Sequence, residues 1–231
     1  MIISFNAHEV TDTSVTFTSF SNNFIAKDIA LKNSYNHEVE GSKSGVSPAL
    51  AVRVYGDKSA FYRCGFICYQ DTLWDVRGRH YFKSCFIEGA IDFIWGSGQS
   101  IYEDAKISIL SNGFITAQGR NSTKDLGGFV FIRGSVGGMN AQTYLGRAYG
   151  PYSRVIFYGT KFDDVISPQG WNAWHFSGHE GNFTFAEVSC SGPGADITKR
   201  VPWIKKFSSA EILQYSVATF IDIDGWIALQ P

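Results

Sequence analysis

Ala60-Phe61-Tyr62-Arg63-Cys64-Gly65-Phe66-Ile67 is echoed 20 residues later by His80-Tyr81-Phe82-Lys83-Ser84-Cys85-Phe86-Ile87. A fainter copy follows as Ser100-Ile101-Tyr102-Glu103-Asp104-Ala105-Lys106-Ile107, and an earlier one reads Phe24-Ile25-Ala26-Lys27-Asp28-Ile29-Ala30-Leu31. Phe129-Val130-Phe131-Ile132, Val155-Ile156-Phe157-Tyr158 and Phe183-Thr184-Phe185-Ala186 read as further strands of the same kind. Short β-rich runs recurring with a period near 20, separated by Gly, Asn and Asp, are the mark of a solenoid. The leucine-asparagine pattern of leucine-rich repeats is missing, and no helical segments separate the strands as βαβ units would require. The fold this predicts is all-β: a right-handed, single-stranded parallel β-helix in which each coil stacks its strands on the previous one.

Two segments frame the repeat. Ser208-Ser209-Ala210-Glu211 has capping-box form ahead of Ile212-Leu213, which predicts a short helix near the C-terminus. Met1-Ile2-Ile3-Ser4-Phe5 already reads as strand, with nothing before it to cap the stack. Residues 1–231 are therefore expected to form one β-helix domain that begins inside the stack and lacks its first coils.

A chain of 231 residues buries a full core, and 44% hydrophobic with 16% aromatic content excludes a disordered chain. A formal net charge of -1 gives no electrostatic reason to expect nucleic acid or an anionic membrane as partner. The longest apolar runs are short and strand-like, so no spanning helix is expected. The opening MIISFNAHEV lacks a basic start followed by an apolar core, so it is not a signal peptide. Asn121-Ser122-Thr123 and Asn182-Phe183-Thr184 have the form of glycosylation acceptors. Cys64, Cys68, Cys85 and Cys190 show no metal-ligand spacing; Cys64 and Cys85 fall at nearly equivalent repeat positions, as buried stack residues would. His175 and His179 have the spacing of metal ligands on a helix, but Gly178 and the strand signals nearby argue against a helix there. No G-x-S-x-G elbow supplies a serine nucleophile.

In a stack with coils of this length, residues about one period apart lie one above the other, at roughly 4.8 Å per rung. Asp71 and Asp92 each close the same repeat unit, one coil plus a single residue apart. Two carboxylates so placed do not both ionise easily, and an acid beside a carboxylate suits general acid–base and nucleophilic work. Spacing alone equally allows two solvated turn residues at coil corners.

The surrounding residues bear on that choice. Tyr69-Gln70-Asp71-Thr72-Leu73-Trp74, Gly89-Ala90-Ile91-Asp92-Phe93-Ile94-Trp95-Gly96 and Tyr144-Leu145-Gly146-Arg147-Ala148-Tyr149-Gly150 resemble the three signature stretches of plant-type pectin methylesterases. The run Arg53–Tyr62, the segment Pro168–Trp174 and the segment Cys190–Ala195 resemble the family's flanking stretches, so the resemblance covers essentially the whole chain. It implies hydrolysis of methyl-esterified galacturonate units of cell-wall pectin, releasing methanol and pectate. By the same resemblance Asp92 is the nucleophile, Asp71 the general acid and then base, Gln70 a donor to the oxyanion, and Arg147 the partner of the nucleophilic carboxylate. The scheme requires no metal and no organic cofactor. Trp74, Tyr149 and Trp171 are expected to line a groove for sugar rings, with Trp174 a further candidate; Trp95, inside an apolar run, fits the groove or the interior equally.

The resemblance further implies a secreted, cell-wall protein that acts as a monomer on pectin, with a proteinaceous pectinesterase inhibitor as a second candidate partner. Three departures stand out. Pro48 occupies a position where the family usually has a second oxyanion glutamine, Tyr149 stands where it has tryptophan, and the family's upstream coils are absent before Met1. These departures set an alternative beside the active enzyme: a catalytically impaired or inactive pectin-binding relative.

Overall fold

The computed structural model describes residues 1–8, 10–37, 45–139 and 141–230, and they form a right-handed parallel β-helix. The smaller of two sheets stacks Ile25–Lys27, Ser59–Tyr62, Arg79–Lys83, Gln99–Glu103, Gly128–Ile132, Arg154–Tyr158 and Thr184–Val188 in chain order, every pairing parallel. The larger sheet begins as two arms, one through Ile2–Phe5, Ala30–Asn33 and Gly65–Ile67, the other through Phe17–Ser19, Val52–Val54 and Leu73–Asp75. The long strands Phe86–Gly96 and Lys106–Gln118 run round the corner and fuse the arms. Beyond them the arms part again, into Ser135–Gly138 with Lys161–Phe162, and Thr143–Ala148 with Trp171–Asn172.

One backbone device makes each coil. Directly after a strand of the smaller sheet comes a residue in the left-handed conformation: Asp28, Arg63, Ser84, Asp104, Arg133 and Ser189, with φ between 51 and 60°. Such φ values are uncommon outside glycine. Rung-to-rung ion pairs tie several of these turns together, Arg63 to Asp28 at 2.6 Å and Arg133 to Asp104 at 2.8 Å. Because the turn is marked by polar residues of several kinds, its periodicity is faint in the sequence. The residue that follows points inward, which buries Cys64 and Cys85 on consecutive rungs.

In-register stacking also sets the core. Phe61, Phe82, Tyr102, Phe131 and Phe157 occupy one interior file, with successive ring centroids 5.1, 4.6, 4.6 and 4.4 Å apart. Such pairs add about 0.5–1.5 kcal/mol each beyond the area they bury. The outer face of the smaller sheet is covered by the C-terminal segment, whose Ile212, Tyr215, Phe220, Ile221 and Trp226 pack on Ala60, Tyr81, Ile101, Val130 and Ile156. The Ser208–Glu211 capping box forms as the sequence predicts: the Ser208 N–H donates to the Glu211 carboxylate at 2.8 Å and the Glu211 N–H to Ser208 Oγ at 3.3 Å. The helix it starts is a 3₁₀ turn, Glu211–Tyr215, followed by a π turn, Val217–Ile221. At the opposite end, Ile2 and Phe5 of the outermost strand are 67% and 49% exposed, so that strand packs little apolar surface.

The interior is not wholly apolar. Asp75, His80 and Tyr102 are fully buried and bonded to one another: Tyr102 donates its hydroxyl to Asp75 Oδ2 at 2.7 Å, and His80 Nδ1 lies 2.5 Å from Asp75 Oδ1. His80 Nε2 lies 3.0 Å from the Gly56 carbonyl, which ties a third coil into the cluster. Removing the shared acceptor strands two buried polar groups. Asp75→Ala should therefore lower unfolding free energy by about 3–5 kcal/mol, against about 1–3 kcal/mol for Tyr102→Phe, which leaves one Asp75 oxygen without its donor. Denaturant midpoints of the two variants measure the difference; equal, near-native midpoints would show that the cluster is not a structural tie.

Candidate active site

The bend in the larger sheet positions the acid pair. Asp71 and Asp92 both adopt the left-handed conformation, φ 61 and 47°, at matching points of consecutive coils. Gln70 and Ile91 form a parallel bridge, and the Asp71 N–H donates to the Ile91 carbonyl at 3.1 Å, so the two aspartates are rung neighbours. Around Asp92 the long strand shifts register twice, between Gly89 and Ile91 and between Ile91 and Ile94. Such bulges bend a strand and re-aim a side chain. Gly113 on the next coil permits the bend, because a Cβ there would lie 2.1 Å from the Ala90 carbonyl oxygen. Both carboxylates open into a cavity of about 200 Å³ shared with Thr11, Trp95, Ala117 and Tyr149.

Arg147 fixes Asp92. Its Nε donates to Asp92 Oδ1 at 2.8 Å and its Nη2 to Oδ2, a two-pronged clamp on a carboxylate whose side chain is only 13% exposed. The guanidinium itself packs on the rings of Trp174 and Phe114, 3.7 and 4.4 Å from their centroids. Burial pushes Asp71 up to about 7, with the Asp92 charge adding to the rise and Arg147 opposing it. Burial also raises Asp92, but there the Arg147 hydrogen bonds and charge pull back directly. The two acids are thus driven apart: Asp92 ionises first, and its charge then helps keep the proton on Asp71.

The other residues singled out in the sequence divide. Gln70 is half-buried next to Asp71, and its side-chain amide bonds to none of the described residues. Trp74 stacks on Trp95 with centroids 4.3 Å apart, and Tyr149, 52% exposed, stands edge-on to Trp95 at 6.1 Å. The expectation that Trp171 lines the groove is corrected. It is 1% exposed, stacks on Phe185 at 4.7 Å inside the coil, and donates its indole N–H to Glu187. Trp171 and Asn172 are successive strand residues, and the pleat that turns Trp171 inward turns Asn172 out, in rung with Arg147. Trp174, beyond that strand, faces the groove against Arg147 and Tyr149. Pro48 is half-buried immediately before Ala49, whose N–H donates to the Gln70 carbonyl at 3.3 Å, so it lies one coil below the Tyr69–Gln70 segment.

Two contributors escaped sequence reasoning. Phe114 carries no motif; only its rung pairing with Ile91 and Tyr144 brings it to the guanidinium. Thr11 comes from the loop before Phe17–Ser19, far in sequence from any signature. A larger hollow, about 580 Å³, lies under the C-terminal segment, but its carboxylates Asp57 and Asp224 are held by Arg79 and Lys58. Those hydrogen bonds hold Asp57 and Asp224 below the ordinary carboxylate value, whereas Asp71 and Asp92 are both raised, so the smaller cavity is the candidate site.

Two carboxylates of unequal acidity, one clamped by an arginine, make a candidate catalytic site on the groove of a parallel β-helix. A sequence model of the pectinesterase family matches residues 2–224. A putative pectinesterase 10 of Arabidopsis thaliana is 47% identical over 238 residues, covering 100% of this chain and 69% of that protein. A probable pectinesterase 29 of the same plant is 47% identical over 223 residues, 93% of this chain and 66% of the relative. The structure of the pectin methylesterase from carrot superposes with a TM-score of 0.91 at 30% identity, over 99% of this chain and 76% of the carrot chain. That of the Aspergillus niger enzyme gives 0.84 at 26% identity, over 98% and 73%. The chain belongs to the pectinesterase family and spans about two thirds of the length of these plant relatives.

The displaced ionisation of Asp71 has a consequence for stability. Its carboxyl is raised in the folded protein, so its contribution is fully present below the ordinary value of 3.8 and is lost as pH rises through about 7. Asp71→Asn removes that titration. The variant should gain stability relative to the parent by a few kcal/mol between pH 4 and pH 8, on the scale of the shift. Urea midpoints of both proteins at the two pH values test this; a parent–variant difference that stays constant with pH would overturn it.

Proposed function

We propose that this chain removes methyl groups from methyl-esterified galacturonate units of cell-wall pectin, with Asp92 as nucleophile and Asp71 as general acid and base. The observation that carries the reading is the Arg147 clamp on Asp92 beside an Asp71 whose carboxyl is raised to about 7. Family membership, and the pectin methylesterases among its structural relatives, supply the substrate class and point to action in the wall.

The chemistry follows from the two protonation states. Ionised Asp92 attacks the ester carbonyl carbon and generates a tetrahedral oxyanion, toward which the Gln70 amide N–H is available as donor. As the C–OCH₃ bond breaks, Asp71 gives its proton to the leaving oxygen and methanol departs, leaving Asp92 acylated as an anhydride. Asp71, now a carboxylate, takes a proton from water as that water attacks the acyl carbon. The anhydride C–O bond to Asp92 breaks, free galacturonate is released, and both acids return to their starting states. Arg147 steadies the Asp92 carboxylate before attack and again when it leaves.

Asp92→Asn should abolish methanol release, since an amide does not serve as the nucleophile, and Asp71→Asn should cut it by about 10²–10⁴. Arg147→Lys should also be poorly tolerated, because an ammonium does not reproduce the planar fork. In the parent, kcat/KM should decline above pH about 7 as Asp71 loses the proton it must donate. Initial rates on methylated pectin measure all four; native turnover by Asp92→Asn would remove Asp92 from the role of nucleophile.

A second reading, a pectin-binding relative of low turnover, is favoured by Pro48. Proline offers no side-chain donor and no N–H to an oxyanion. One lost donor typically costs about 10²–10³ in turnover, so the expected enzyme is slow. Pro48→Gln should raise methanol release at least about tenfold, a cautious fraction of that donor effect. Equal, substantial rates in both proteins would show that the position takes no part in the oxyanion site, and no rate in either would favour the binding relative.

A further inference from the structure

The residue after each left-handed turn of the smaller sheet recurs at one interior place, which makes a file of Cys64, Cys85, Ala105, Gly134, Thr160 and Cys190. They are rung neighbours. The Phe86 N–H donates to the Cys64 carbonyl at 2.9 Å, and Lys106, Ser135, Lys161 and Ser191 repeat that bond to the file member one coil below. Cys64 and Cys85 are consecutive thiols in this file, each 1% exposed. Their sulfurs sit alike in their coils: Cys64 Sγ lies 3.5 Å from the Ala26 carbonyl oxygen and Cys85 Sγ 3.3 Å from that of Phe61, in each case one coil below. Adjacent rungs are about 4.8 Å apart, within the roughly 4.4–6.8 Å that separates the Cα atoms of a disulfide.

The other cysteines are out of reach. Cys68 lies four residues beyond Cys64 along an extended segment, on the order of 13 Å away, and its thiol is buried on the Ala49 carbonyl at 2.6 Å. Cys190 stands four rungs above Cys85, about 19 Å along the stack. Burial pushes the Cys68 and Cys190 thiols up, to about 12 and about 11. Cys64 differs. The Cys85 thiol beside it, acting as a hydrogen-bond donor, draws Cys64 down to about 7, and the same contact raises Cys85. Near neutral pH one member of the pair is a nucleophilic thiolate and its neighbour holds the proton. The pair is also placed with respect to the acids: Cys64 stands seven residues before Asp71, and Cys85 seven residues before Asp92.

We propose that Cys64 and Cys85 are an intramolecular disulfide site, oxidised by a low-molecular-weight disulfide, which staples together the two coils that carry Asp71 and Asp92. The Cys64 thiolate attacks one sulfur of the small disulfide, forms a mixed disulfide and expels a small thiolate, which takes up a proton. Cys85 then loses its own proton and attacks Cys64 Sγ, expelling the second small thiol. The two protein thiols give up two electrons, and the small disulfide is reduced to two thiols. Exported proteins meet oxidants of this class. The new bond closes one coil, a loop of about 20 residues, and so removes freedom from the unfolded chain. The site depends on the stack alone and stands whether or not the groove hydrolyses an ester.

The test is peptide mapping after equilibration with oxidised glutathione at alkaline pH, in urea too dilute for global unfolding, where local opening admits the reagent. Alkylation, digestion and mass spectrometry should recover one linked pair, Cys64 with Cys85, and should find Cys68 and Cys190 alkylated. The thermal midpoint of the linked protein should lie about 5–10 °C above that of the same protein reduced with a phosphine. Cys64→Ala should lose that difference, and Cys190→Ala should keep it. Four alkylated cysteines, a persistent glutathione adduct on Cys64, or a link between any other pair would overturn the disulfide site. A linked protein whose midpoint matches that of the reduced one would overturn the staple. Mapping of the parent protein decides the site even where Cys64→Ala does not fold.

Discussion

Every feature of this molecule depends on consecutive coils stacking in register, so that one position in the coil recurs at one place in space. Inside, that constraint forces like onto like: Phe61, Phe82, Tyr102, Phe131 and Phe157 stack because each fills the same interior position of its own coil. Outside, it lines up unlike residues, Arg53, Trp74, Trp95, Ala117 and Arg147, into a single file. A slip by one residue in any coil would turn the core stack outward and break the file at once. Core and groove are therefore two readings of the same register.

The acid pair is where that register is locally bent. Both aspartates hold φ values that ordinary residues avoid, and the strand that carries Asp92 shifts register twice around it. Conformations of this kind cost on the order of 1–3 kcal/mol each and persist where their surroundings over-determine them. Here the surroundings are the rung hydrogen bond from Asp71 to Ile91, the missing Cβ at Gly113 and the Arg147 clamp, itself held by Trp174 and Phe114. The same burial that makes the site costly separates the two ionisations. Stability spent at this corner and the unequal acidity of the pair have one cause, the withdrawal of both carboxylates from water.

The fold was legible in the recurrence of short apolar runs, but the 20-residue offset that sets Phe61 over Tyr81 is one residue short: Phe61 pairs with Phe82, and Tyr81 pairs with Ala60 on the outer face under the C-terminal segment. The pairing of Asp71 with Asp92 was legible as spacing, though spacing could not separate a site from two solvated corners; the neighbouring motif residues were needed. Arg147, four rungs along the file from Arg53, offers nothing in spacing to connect it with Asp92, and only resemblance singled it out. Trp171 was misassigned because a two-residue strand gives no alternation from which to tell its inner from its outer face. The Asp75–His80–Tyr102 cluster was missed for the opposite reason. Polar residues near a turn read as solvated, and what buries them is the stacking of three coils, a property of no local segment.

A net charge of -1 says little about the groove, because the charges are not spread evenly but ordered along it. Arg147 is engaged by Asp92, so the acid-pair end presents close to no net charge once Asp71 holds its proton. Asp12 offsets Arg53 only from an exposed turn, where the pair is screened and weak, while Arg77 keeps its charge open to water. The gradient runs from a compensated acid pair to an under-compensated basic platform within a few rungs, and the aromatic rings of Trp95, Trp74 and Tyr55 span the interval. Register thus converts a sequence pattern into an electrostatic one, set by the order in which the coils carry their arginines.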